Sequence, residues 1–178
     1  MKKAIIVLAL CFAAVAGAAA GQENGTVPNS LSDAKVGEWA SYMLPGGYVQ
    51  KLTVIKREGE GPYALVTVKI DNIYDGKVVE SKEVTEEAGE AFSTPSTYND
   101  EGVTVSVRNE TVKIGGKQAA AGVVAINKWL GWDNEDNEVT EWWVSSDVPV
   151  FGIVKKLYNG EVEWELFKQG YDDPEAKK

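Results

Sequence analysis

The side chains with the most chemical potential in this chain are its tryptophans and glutamates, and two absences bound what they can do. There is no histidine, and the single cysteine is Cys11. Without histidine there is no Ser-His-Asp or Cys-His relay and no imidazole metal ligand. The side chain that most often moves protons near neutral pH is also missing. Paired carboxylates remain open to a histidine-free enzyme, because glycosidic bonds are cleaved by one carboxylic acid and one carboxylate. Glu141, Glu163 and Glu165 are the candidates, since each falls in a predicted strand near tryptophan. Alternation places Glu163 and Glu165 opposite Leu157, Val162 and Trp164, and Lys156 stands ready to neutralise Glu163. Exposed strand glutamates are therefore the simpler reading. Asp133-Asn134-Glu135-Asp136-Asn137-Glu138 has the composition of a calcium loop. The EF-hand pattern needs Gly at its sixth position and Glu at its twelfth, and the chain has Glu138 and Val144 there. No metal and no cofactor is expected.

The six tryptophans are Trp39, Trp129, Trp132, Trp142, Trp143 and Trp164. Such rings serve sugar platforms and apolar cavities as well as cores. Trp142 and Trp143 are adjacent, so in a strand they point to opposite faces. One is expected in the core, and the other faces solvent, a second layer or a ligand. These two residues are the candidate ligand-binding site.

The elements that must hold them are read as strands. Glu38–Leu44 runs into Pro45-Gly46-Gly47, a turn, and Tyr48–Lys56 follows. Ala64, Val66, Val68 and Ile70 alternate with Leu65, Thr67 and Lys69, which predicts one buried face. Asp75-Gly76 marks a turn into Lys77–Val84. Thr85–Phe92 reads as one short helix, with Thr85 as its cap. Val103–Val107 alternates again, and Gly115-Gly116 predicts a hairpin between Thr111–Ile114 and Gln118–Leu130. Val139–Ser145 is a strand, and Pro149, which lacks a donor, ends its ladder. Asn159-Gly160 is a strong type I′ hairpin signal. It predicts the pairs Leu157 with Val162, Lys155 with Trp164, and Ile153 with Leu166. The fold class expected is mainly β: an antiparallel curled sheet, a half-barrel or barrel, with one short helix.

The start of the chain reads as an export signal. Met1-Lys2-Lys3 is basic, Ala4–Val15 is apolar, and Ala18-Ala19-Ala20 fits a cleavage site before Gly21. Leu10 stands before Cys11 where a lipobox needs a small residue, so lipoprotein processing is not expected. The domain map is residues 1–20 signal peptide, 21–35 flexible lead-in, 36–170 a single β domain, and 171–178 a charged tail. The expected location is periplasmic or secreted, in a bacterium. Formal charge is −9, and loss of Lys2 and Lys3 with the signal leaves −11. That balance repels nucleic acid and anionic membrane. After residues 1–20 no apolar run is long enough to span a bilayer, so no transmembrane anchor is expected.

The C-terminal half carries a resemblance. The segment Glu110-Thr111-Val112-Lys113-Ile114-Gly115-Gly116-Lys117 leads to the strand Trp142-Trp143-Val144-Ser145-Ser146. Asp147-Val148-Pro149-Val150-Phe151-Gly152-Ile153-Val154-Lys155 follows, then a hairpin ending in Glu165-Leu166. Over residues 103–167 this resembles uncharacterised secreted bacterial proteins with the half-barrel architecture of the periplasmic lipoprotein carriers. The resemblance implies a concave face that holds acyl chains, and it carries no individual binding residue across. The expected function is a non-catalytic binding protein that holds a lipid-like or apolar ligand, or an envelope protein, against a concave sheet. The alternatives are a small carbohydrate-active enzyme or sugar-binding module, and a structural envelope module.

Overall fold

The computed structural model describes residues 31–89, 103–128 and 137–172. Its strands are β1 (Glu38–Leu44), β2 (Tyr48–Glu58), β3 (Leu65–Tyr74), β4 (Lys77–Glu87), β5 (Val103–Ile114), β6 (Lys117–Lys128), β7 (Glu138–Val144), β8 (Ile153–Tyr158) and β9 (Glu161–Tyr171). All nine form one antiparallel sheet in the order β4-β3-β2-β1-β9-β8-β7-β6-β5. Two meanders, β1–β4 and β5–β9, are thus joined through β1 and β9. The sheet is not closed, because β4 and β5 remain its edges. No helix of the described residues is long and apolar enough to cross a membrane.

The predicted helix over 85–92 is corrected. Thr85, Glu86 and Glu87 continue β4 and pair with Thr67, Val66 and Leu65. The Thr85 hydroxyl meets the Thr67 hydroxyl at 3.0 Å across the ladder rather than capping a helix. Val84 and Thr85 are β-branched, and β3 offers them a complete set of backbone partners. Residues 90–92 lie outside the described residues. The described residues hold only a single 3₁₀ turn, Gly61–Tyr63.

With no helix to cover it, the sheet is covered by its own connections. Val148, Val150 and Phe151, from the break after β7, are buried in the same core cluster as Tyr42, Leu52, Val54, Val66 and Val68. So are Leu31 and Ala34. Both fall in the stretch 21–35 that the sequence reading assigns to a lead-in, of which residues 31–35 are described. The Arg57 guanidinium fixes this segment by donating to the carbonyls of Leu31, Ser32 and Ala34. At the other end, Asp172 donates its amide to the Gly37 carbonyl just past the end of β9.

The last hairpin turns at Asn159 and Gly160, whose φ values of 50° and 80° suit a type I′ turn. Leu157 pairs with Val162 as expected. A bulge beyond Lys156 then shifts the register, so Lys156 pairs with Trp164 and Lys155 with Glu165. The predicted Lys155–Trp164 and Ile153–Leu166 pairs are corrected accordingly. One extra residue on the bulged strand re-aims every side chain after it. That shift decides which face of the sheet each candidate residue occupies.

Candidate functional site

One continuous row of paired residues runs from β6 to β1 through Val123, Trp143, Lys155, Glu165 and Met43. These residues define one face, the Trp143 face. The neighbouring row of Val124, Trp142, Lys156 and Trp164 defines the other, which Tyr42 shares. The two adjacent tryptophans therefore have different surroundings.

Trp142 lies in an aromatic row. Its ring meets Trp164 edge-on at 6.0 Å, and Trp164 lies 5.6 Å from Tyr42. Lys156, buried and paired with Glu163, sits 4.8 Å from the Trp142 ring. Burial pushes the Tyr42 phenol far above its ordinary pKa, so it stays neutral. This row is packing, in which an edge-to-face ring pair adds to the area buried.

Trp143 is held by polar groups at its edge and by cations over its ring. Its indole Nε1 donates to the Glu110 carboxylate at 2.9 Å. Arg108 donates to Glu110 at 2.7 Å and to Glu141 at 2.9 Å. The indole hydrogen bond first, and Arg108 second, hold the Glu110 carboxyl below its ordinary pKa. The Lys155 ammonium lies 3.9 Å from the centre of the Trp143 ring. A ring gripped at edge and face is fixed in orientation.

Beside this ring the sheet leaves a groove of about 720 Å³. Trp143, Trp39, Phe167, Val112 and Ile114 are among the residues that line it. Trp39 belongs to β1 and Ile114 to the far end of the β5–β6 hairpin. Four ladder steps separate β1 from β6, which is about 19 Å in a flat sheet. One groove bounded by both requires the sheet to bend toward its Trp143 face. Trp142 is not part of that lining.

Of the three candidate glutamates, only Glu165 lines the groove. Glu141 is tied to Arg108, and Glu163 to Lys156. No group of three or more potential metal ligands occurs among the described residues. The acidic loop over 133–136, with Trp129 and Trp132, lies outside them.

Sequence reasoning missed Trp39, Phe167 and the hairpin end as groove walls. One signal for Trp39 was present in Gly170. A Cβ built on Gly170 would stand 2.8 Å from the Trp39 ring, so the glycine lets that ring lie against β9. Phe167 carried no such signal, because only the displaced register of β9 against β1 brings it to the groove. Comparison with protein families, with curated proteins and with solved structures found no match.

Proposed function

We propose that this protein is a non-catalytic binding protein that holds a lipid-like or other apolar ligand in the groove on the Trp143 face. The groove itself carries the reading. Its volume falls within the few hundred to a thousand Å³ usual for small-molecule sites, and its walls combine aromatic and aliphatic side chains with a few polar groups. Phe167 is half exposed although it lines this apolar space, so a ligand would cover surface that the fold leaves wet. Export to the periplasm or medium accords with the basic, apolar and small-residue order of residues 1–20.

A titration with cis-parinaric acid, a fluorescent fatty acid, tests the reading through energy transfer from tryptophan. Saturable transfer at micromolar probe is expected, and Phe167→Ala should weaken it severalfold while leaving the unfolding midpoint nearly unchanged. Absence of saturable transfer in the folded wild-type protein would overturn it.

A further inference from the structure

The chain is acidic, with a formal charge of −9, yet the groove is not. Its lining includes Lys113, Lys117, Lys155 and Lys168 against one carboxylate, Glu165. Among the described residues none of these four lysines forms an ion pair, whereas Lys51, Lys56, Lys69 and Lys156 all do. Two of the four are placed by the aromatic walls. The Lys155 ammonium lies over Trp143, and the Lys168 ammonium lies 4.8 Å from the Phe167 ring centre. A lysine stem lies along apolar surface while its head seeks an anion or water. Lys155 also acts on the Glu110 carboxyl, while Lys113, Lys117 and Lys168 have no salt bridge among the described residues. Apolar walls and such cations at one groove are complementary to one kind of molecule.

We propose that the groove selects single-chain anionic amphiphiles, whose hydrocarbon chain lies on Trp39, Trp143 and Phe167 while the head meets the lysines. This rests on the groove being a ligand site, and narrows its ligand by charge. The excess of acidic residues elsewhere sharpens the selection, because the net negative charge of the chain disfavours an anion away from the groove's lysines. Glu165, opposite Lys155, keeps the site from being uniformly cationic. A head bearing a positive charge meets net repulsion there. The shared chemistry is a compact anion, carboxylate or phosphate, on one alkyl chain.

The test displaces cis-parinaric acid with four ligands of one chain length, each below its micelle concentration: dodecanoate, dodecyl phosphate, dodecanol and dodecyltrimethylammonium. Calorimetric titration of the same four without the probe guards against a silent probe. At low ionic strength at least one anion should bind about tenfold more tightly than the alcohol, the scale of one charge-assisted hydrogen bond. The cation should bind weakest. Raising the salt should narrow the gap between anion and alcohol, since exposed charges are screened. The double variant Lys117→Gln with Lys168→Gln, at two exposed positions, should also narrow it, weakening the anions more than dodecanol. Whichever anion binds more tightly names the head group. Equal affinities for anion, alcohol and cation would overturn charge selection while leaving an apolar site. Failure of all four to bind would overturn the ligand site itself.

Discussion

β3 and β6 are each flanked by neighbours within their own meander, yet they are buried in different ways. In β3, Val66, Val68 and Ile70 are buried while Leu65, Thr67 and Lys69 are not. In β6, Ala121–Ala125 are buried without interruption. The first pattern belongs to a sheet with one face on the core and one facing water. The second belongs to a strand used on both faces. On one side of β6, Val124 packs with Val144, Val105 and Val107, and Trp142 joins them. On the other, Val123 pairs across to Trp143, beside the groove. The N-terminal meander thus carries stability, and adds only Trp39 of β1 to the groove. The C-terminal meander carries both stability and the rest of the candidate site, separated only by the thickness of a strand. Loss of core and loss of site should therefore be separable in one half of the molecule and coupled in the other.

The largest effects should come from the pair Trp143→Ala and Leu52→Ala. Removing Trp143 should cost about 3–5 kcal/mol of stability and abolish fatty-acid binding together. Removing Leu52, which is fully buried in β2, should cost about 2–5 kcal/mol with ligand affinity preserved in the folded fraction. Urea melts and ligand titrations on both variants check this. Equal affinity in Trp143→Ala and wild type would break the comparison.

A smaller effect is expected at Gly170→Ala. The new methyl would press on the Trp39 ring, an overpacking that costs about 1–3 kcal/mol. Because Trp39 is a groove wall, affinity should fall with stability, and a titration of the variant against wild type measures both. Unchanged affinity would mean that the position of Trp39 does not matter to the ligand.

The smallest effect should appear in acid, at one carboxylate of the N-terminal meander. Asp71 is nearly buried on β3; burial raises its pKa, but the Ser81 hydroxyl and the Lys69 ammonium outweigh that and hold it below the ordinary value. A depressed carboxylate contributes stability above its unfolded pKa of about 4, and the contribution disappears as pH falls through the folded value. Unfolding midpoints should decline below that pH with a shallower slope in Asp71→Asn. Identical slopes would show that this carboxylate does not drive the acid response.

The contrast between the two meanders also explains how much was legible in the sequence. Alternation in β3 was readable because one face is wet, and the turns at Pro45-Gly46-Gly47, Asp75-Gly76, Gly115-Gly116 and Asn159-Gly160 announced themselves by residue type. Over Ala121–Ala125 no period of two was legible, because burial on both faces erases it. The helix read from Thr85 onward was wrong over the described residues 85–89, because a short polar segment has weak local preference and the β3 ladder overrides it. Opposite directions for Trp142 and Trp143 followed from strand geometry. Which of them meets the groove did not, since that depends on the bulge after Lys156 and on the bend that brings Ile114 toward Trp39. The groove's lysines were invisible among a chain-wide excess of acid, because charge counts carry no positions.

The central claim is that the Trp143 face receives a ligand and the Trp142 face does not. Two-dimensional NMR of the tryptophan indole N–H groups during titration with dodecanoate tests it most directly. Trp143, whose indole bonds Glu110, and Trp39 should shift progressively and saturate together, while Trp142 and Trp164 stay in place. Saturating shifts at Trp142 and Trp164, with Trp143 and Trp39 unmoved, would contradict the account.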